Sequence, residues 1–209
     1  DSASTVEMDH SRIAFTAGPG FFARHANARI SNSLFYENDG QCVSLTYGGD
    51  YEIAYCTMAS FGNSAEAILM TDYYCNDPLC SDLVFLNQFT GKIYNSIMVG
   101  SSTDEVWMID AGLPGDNLLD VMMRNNIVVV DDLLNDNLFP DFFETICQDC
   151  FEYALGDTLF VDLNKYDFHL DTMSIAEHKA MPLPSIPDDR DGVIRDLFLP
   201  DIGCYEFVE

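Results

Sequence analysis

The sequence predicts an all-β fold, a parallel β-helix in which each coil of the chain lays short strands on the coil before it. Three observations predict it. A six-residue pattern recurs along the chain, its first copies about 22 residues apart. The runs around it alternate apolar and polar residues over strand-like lengths. β-Branched and aromatic residues fill those runs, while Gly and Asn mark the turns.

The copies begin at Met8, Ile30, Ile53, Ile93 and Met123. Each reads apolar, any residue, polar or aromatic, small polar, then a mostly apolar pair. Strand alternation sends the first column inward, where its members stack. The fourth column holds Ser11, Ser33, Cys56, Ser96 and Asn126. Its small size fits an inward position at a bend, where such groups bond the backbone or one another from coil to coil. The longer steps after Ile53 and Ile93 imply insertions. The Leu-x-x-Leu-x-Leu pattern of leucine-rich repeats is missing, and an α-solenoid needs two amphipathic helices per repeat. Residues 1–130 are therefore assigned to coils. Residues 131–209, where the repeat fades into Asp- and Phe-rich loops, are assigned to a C-terminal coil and an irregular capping region. Asp1 is read as the start of a trimmed or truncated chain, so that preceding residues or another chain cover the first strand edge.

Charge narrows the partners. With 35 acidic and 9 basic residues the net charge is −26, which repels nucleic acid and anionic lipid. Cationic ligands, Ca²⁺, neutral glycans and basic proteins remain. The plain alternative is that acidity keeps an exported protein soluble. No stretch approaches the roughly 20 apolar residues that cross a bilayer. Among the 7 cysteines, Cys75 with Cys80 and Cys147 with Cys150 would close two tight loops as disulfides, which suits an oxidising compartment. Read instead as four zinc ligands, the Cys75–Cys80 spacing is atypical.

Three motifs in the tail are Gly156-Asp157-Thr158-Leu159-Phe160-Val161-Asp162, Asp167-Phe168-His169-Leu170 and Pro200-Asp201-Ile202-Gly203-Cys204-Tyr205-Glu206-Phe207. They resemble the closing segments of secreted bacterial proteins of the pectate-lyase-like superfamily, in particular the Bacteroidetes choice-of-anchor Q proteins. Cys204 stands where that family has Ala, and residues 174–180 replace its usual small-residue segment. The resemblance implies a right-handed parallel β-helix, extracellular or at the cell surface in association with an outer membrane. It also implies an acidic polysaccharide as the class of ligand, which many members of that superfamily cleave or bind. Leu159, Phe160, Val161, Phe168 and Leu170 would then pack over the open end of the rod. Ile202, Tyr205 and Phe207 would alternate as a terminal edge strand.

Candidate chemistry is sparse. A lyase needs Ca²⁺ on carboxylates and a basic residue beside the sugar carbon. Arg124 lies near Asp120, Asp131 and Asp132, and Arg12 near Asp9, but surface ion pairing explains both. Asp188, Asp189 and Asp191 form the candidate Ca²⁺ loop, though it lacks the register of an EF-hand; a solvated turn is the plain reading. His169 fits packing or capping, and His178 has no visible partner. Tyr73, Tyr74 and Trp107 are the candidate ligand contacts, while most other aromatics belong to the core. The insertion from Tyr73 to Phe89 is the candidate contact loop. The expected function is a non-catalytic cell-surface or extracellular β-helix that binds a partner protein or glycan as a component of an envelope complex. A polysaccharide lyase or glycoside hydrolase, and a structural spacer or adhesin segment, are the alternatives.

Overall fold

Short alternating runs make strands, and parallel pairing stacks the copies of the repeat on one another. The computed structural model describes residues 4–62, 64–77, 80, 84–113, 115–154 and 156–208. The chain is 44% strand and 6% helix, with its two large sheets parallel.

One sheet runs through Ser4–Met8, Phe21–Ser31, Val43–Ala54, Phe89–Tyr94, Leu119–Arg124 and Cys147–Gln148. Its register carries the first column from Met8 to Ile30, Ile53, Ile93, Met123 and Cys147. The second sheet pairs Arg12–Thr16, Leu34–Asn38, Thr57–Ser60, Ile97–Gly100, Ile127–Val128 and Phe151–Glu152. There Ile13, Phe35, Met58, Met98 and Val128 stack in turn. Both columns meet in one apolar core. The pairing therefore continues past residue 130, and Cys147-Gln148-Asp149-Cys150 opens a sixth copy of the pattern.

The bend between the sheets explains the pattern's polar middle. The third-column residues His10, Asn32, Tyr55, Asn95, Asn125 and Asp149 all have positive φ, between 44° and 54°. Asn and Asp tolerate that left-handed conformation better than most residues. Fourth-column side chains then satisfy the backbone that turns the corner. Ser33 Oγ accepts from the Ser11 amide at 3.2 Å, Ser96 Oγ from Cys56 at 3.1 Å, and Asn126 Oδ1 from Ser96 at 2.8 Å. The hydroxyls of Ser33 and Ser96 donate to carbonyls two residues earlier. The last member, Cys150, meets the Asn126 amide and is disulfide-bonded to Cys147 in the first column.

The insertions are built from strands too. Ile68–Thr71 pairs with the first part of Val43–Ala54 and with Val106–Ile109. Tyr73–Cys75 and Val84–Leu86 form an antiparallel hairpin held by the Cys75–Cys80 disulfide. Those two disulfides replace the zinc alternative, since each sulfur is committed to its partner. Cys42, Cys56 and Cys204 are buried free thiols, and burial pushes each one's pKa up, Cys204 to about 12.

The C-terminal region differs from the expected end cap. Leu159, Leu170, Ala176 and Ile202 lie against Ile97, Val99 and Ile127, the outward residues of the second sheet. Phe168, Cys204 and Tyr205 cover Leu34, Tyr36 and Ala59 farther along the same face. The tail thus clads a side of the stack, because that face carries apolar residues where a solvated sheet would carry polar ones. Val161 remains 49% exposed and outside this packing. Residues 202–207 are not a strand; Ile202 and Tyr205 are buried all the same.

Candidate binding surface at Trp107

The strand Val106–Ile109 follows the strand pattern of inward Val106 and Met108, so Trp107 between them faces outward. It is 44% exposed and stands in register with Leu69. An open cavity of about 450 Å³ lies beside it, within the size range of small-molecule sites. Successive corner loops supply its lining: Ser64 and Glu66 from one, Ser101, Ser102, Thr103 and Asp104 from the next, and Asp132 from beyond the following strand. An aromatic wall thus stands beside hydroxyls and carboxylates.

A buried carboxylate holds this surface in shape. Glu105 is fully buried and accepts from the Ser60 hydroxyl, the Ala67 amide at 2.8 Å and the Ser102 amide at 2.8 Å. Burial nevertheless pushes its carboxyl up to about 7, against the lowering effect of those donors. Gly100 is required beside it, because a Cβ there would collide with the Ser60 hydroxyl and the Glu105 carboxylate. Asp104 accepts from the amides of Asp131 and Leu133, which ties the third loop to the second. Glu66 accepts from the Gln41 side chain at 3.2 Å.

The hairpin carries the other two aromatic candidates. Tyr73 and Tyr74 are partly buried and pair with Leu86 and Phe85. The Arg24 guanidinium lies 4.4 Å from the Tyr74 ring centre, with Tyr47 at 5.9 Å on another side. Phe22, Val84 and Phe85 are exposed nearby in the same sheet and hairpin. Neither Tyr73 nor Tyr74 lines the cavity beside Trp107. Tyr51 and Tyr55 are core residues, as expected for the majority of the aromatics.

The proposed Ca²⁺ ligands are brought close in sequence but not in chemistry. Asp189 is buried, and its carboxylate accepts from the amides of Asp191, Val193 and Glu206, each at 2.8 Å. Asp191 meets His169 and Arg190, while Asp188 lies 3.7 Å from His10. Among the described residues no group of three or more His, Cys, Asp or Glu side chains converges to hold a metal. These residues do not fit Ca²⁺. Asp189 organises a turn by accepting from three backbone amides.

Other sequence candidates found different neighbours. Arg124 pairs with Asp149 at 3.4 Å, and Arg12 donates to the Tyr36 hydroxyl. His178 does have a partner, since Asp201 accepts from its amide at 2.7 Å and lies 3.4 Å from its ring. The serine-rich corner loops around Trp107 escaped sequence reading because three loops distant in sequence build one cavity. Only the run Ser101-Ser102-Thr103 beside an outward Trp hinted at it.

No protein-family model, curated protein or solved structure matches this chain.

Proposed function

We propose that the chain is a right-handed parallel β-helix, extracellular or at the cell surface, that binds a neutral glycan without turning it over. The observation that carries this reading is Trp107, exposed on a rigid strand beside a cavity of hydroxyls and carboxylates. An indole face packs against the C–H face of a sugar ring, and the surrounding oxygens hydrogen-bond its hydroxyls. The lining contains Glu66, Asp104 and Asp132 and no cation, so an acidic polysaccharide would be repelled there. That contrast favours a neutral sugar over a polyuronate.

The fold part of the reading is supported by the unbroken parallel register of the repeat and by its shared left-handed bend. The tail motifs ending in Phe207 support kinship with the secreted superfamily named above. Two disulfides are compatible with an oxidising compartment. No helix of the described residues is long and apolar enough to cross a membrane.

The test is a screen of neutral and acidic glycans against the intact protein, repeated with Trp107→Ala. The reading expects saturable binding of a neutral glycan, no released product, and loss of at least about tenfold in affinity in the variant. Product formation would favour the lyase or hydrolase alternative. Binding that survives Trp107→Ala would move the site elsewhere.

A further inference from the structure

Basic residues are scarce in this chain, 9 against 35 acids, yet three of them line one cavity. Arg12, Lys165 and Arg190 surround a space of about 360 Å³ where the C-terminal tail lies on the second sheet. Only two carboxylates, Asp167 and Asp191, share the lining with them, together with His169. In the lining itself cations therefore outnumber carboxylates, against the balance of the whole molecule.

The cationic groups are held in place. The amide acceptors on Asp189 fix the turn that presents Arg190 and Asp191. Arg190 Nη1 donates to Asp191 at 3.1 Å and to the Tyr205 hydroxyl at 2.8 Å. Its Nε is buried and has no hydrogen-bond partner among the described residues, an uncommon state for a charged donor. Arg12 lies 5.0 Å from the centre of the Tyr36 ring, which in turn stacks on Tyr166 at 5.3 Å. His169 is gripped on both ring nitrogens, by Asp167 at 2.6 Å and Asp191 at 3.1 Å, and packs 4.0 Å from Tyr205. Lys165 is 80% exposed and pairs with Asp162, which stands outside the lining.

We propose that this cavity receives a small organic carboxylate, bound by the guanidinium groups of Arg12 and Arg190 and the ammonium of Lys165. Guanidinium forks match the planar carboxylate. Tyr166, partly exposed at 41%, and Tyr205 supply aromatic walls for the body that bears it. With Asp162 paired to Lys165, three cations balance three carboxylates around the cavity, so a single negative charge is opposed less by Asp167 and Asp191 than a phosphate dianion would be. This cavity is distinct in lining from the Trp107 groove, and its ligand is anionic where that groove's is neutral.

Calorimetry on the intact chain tests the assignment with three probes: sodium benzoate, benzamide as its neutral counterpart, and inorganic phosphate. The expected result is saturable benzoate binding with a Kd of about 1 mM or tighter. Benzamide and phosphate should each bind at least about tenfold more weakly. Arg190→Gln should weaken benzoate by about tenfold, and the exposed Lys165→Ala by about threefold. If Arg190→Gln does not fold, Arg12→Gln takes its place with the same expected loss, and Lys165→Ala remains. Absence of saturable benzoate binding, equal affinity for benzamide, tighter binding of phosphate, or full affinity in the folded variants would overturn the proposal.

Discussion

At the scale of single residues, Arg195 joins the tail to the bend of the stacked repeats. It is 4% exposed and pairs with Glu206 at 3.2 Å. The same Nη1 donates to the Asp201 carbonyl, Nη2 to Asn32 Oδ1 at 3.0 Å and the Gly203 carbonyl, and Nε to the Asp188 carbonyl. The guanidinium also lies 3.8 Å from the centre of the Tyr55 ring, beside a bulky residue held at φ 52°. Removing one partner of a buried ion pair strands the other charge, so Arg195→Met should cost about 3–5 kcal/mol. Urea denaturation measures it, and a loss under 1 kcal/mol would contradict the assignment. Glu105 yields a pH prediction. Its folded pKa, about 7, lies above the ordinary 4.5, so the native state holds a proton that the unfolded chain releases. Its contribution is fully present below about 4.5 and is lost as pH rises toward 7. Stability measured across that window should fall less steeply with pH in Glu105→Gln than in the unaltered protein.

At the scale of elements, the bend is the unit that repeats. Asn95 combines a left-handed backbone with a two-way clasp on the tail, accepting from the Met181 amide at 2.9 Å and donating to its carbonyl at 2.7 Å. Asn95→Ala loses both bonds and adds strain, so a loss of about 2–4 kcal/mol is expected by denaturation. Ser96→Ala strands the Cys56 amide, at about 1–3 kcal/mol. Much of this element was legible: the inward column from Met8 to Met123 and the polar column beside it follow from spacing and alternation alone. The sixth copy at Cys147-Gln148-Asp149-Cys150 was harder to see, because Cys replaces the aliphatic residue in its first column. The lateral course of the tail was not legible either. An apolar outer face, such as Leu34, Ile97 and Ile127, looks the same in sequence whether it meets a tail or an end cap.

At the scale of the whole molecule, acidity and local architecture divide the surface. Most of it is negative, the Trp107 groove included, while Arg12, Lys165 and Arg190 gather in one place. Sequence alone marked Trp107 as one of several aromatics in or beside the repeats, and missed both its outward position and its neighbours. It marked Asp188, Asp189 and Asp191 by type, yet could not show that Asp189 is spent on backbone amides. Cavities built from separate corner loops are visible only once the register is known. The chain contains a single tryptophan among 10 tyrosines, so emission excited selectively at the indole reports on the proposed groove. The most direct measurement is therefore a fluorescence titration of the intact protein with the neutral glycan that binds it best by calorimetry. The account predicts a saturable change in Trp107 emission that follows the calorimetric isotherm. Glycan binding with unaltered emission would contradict it.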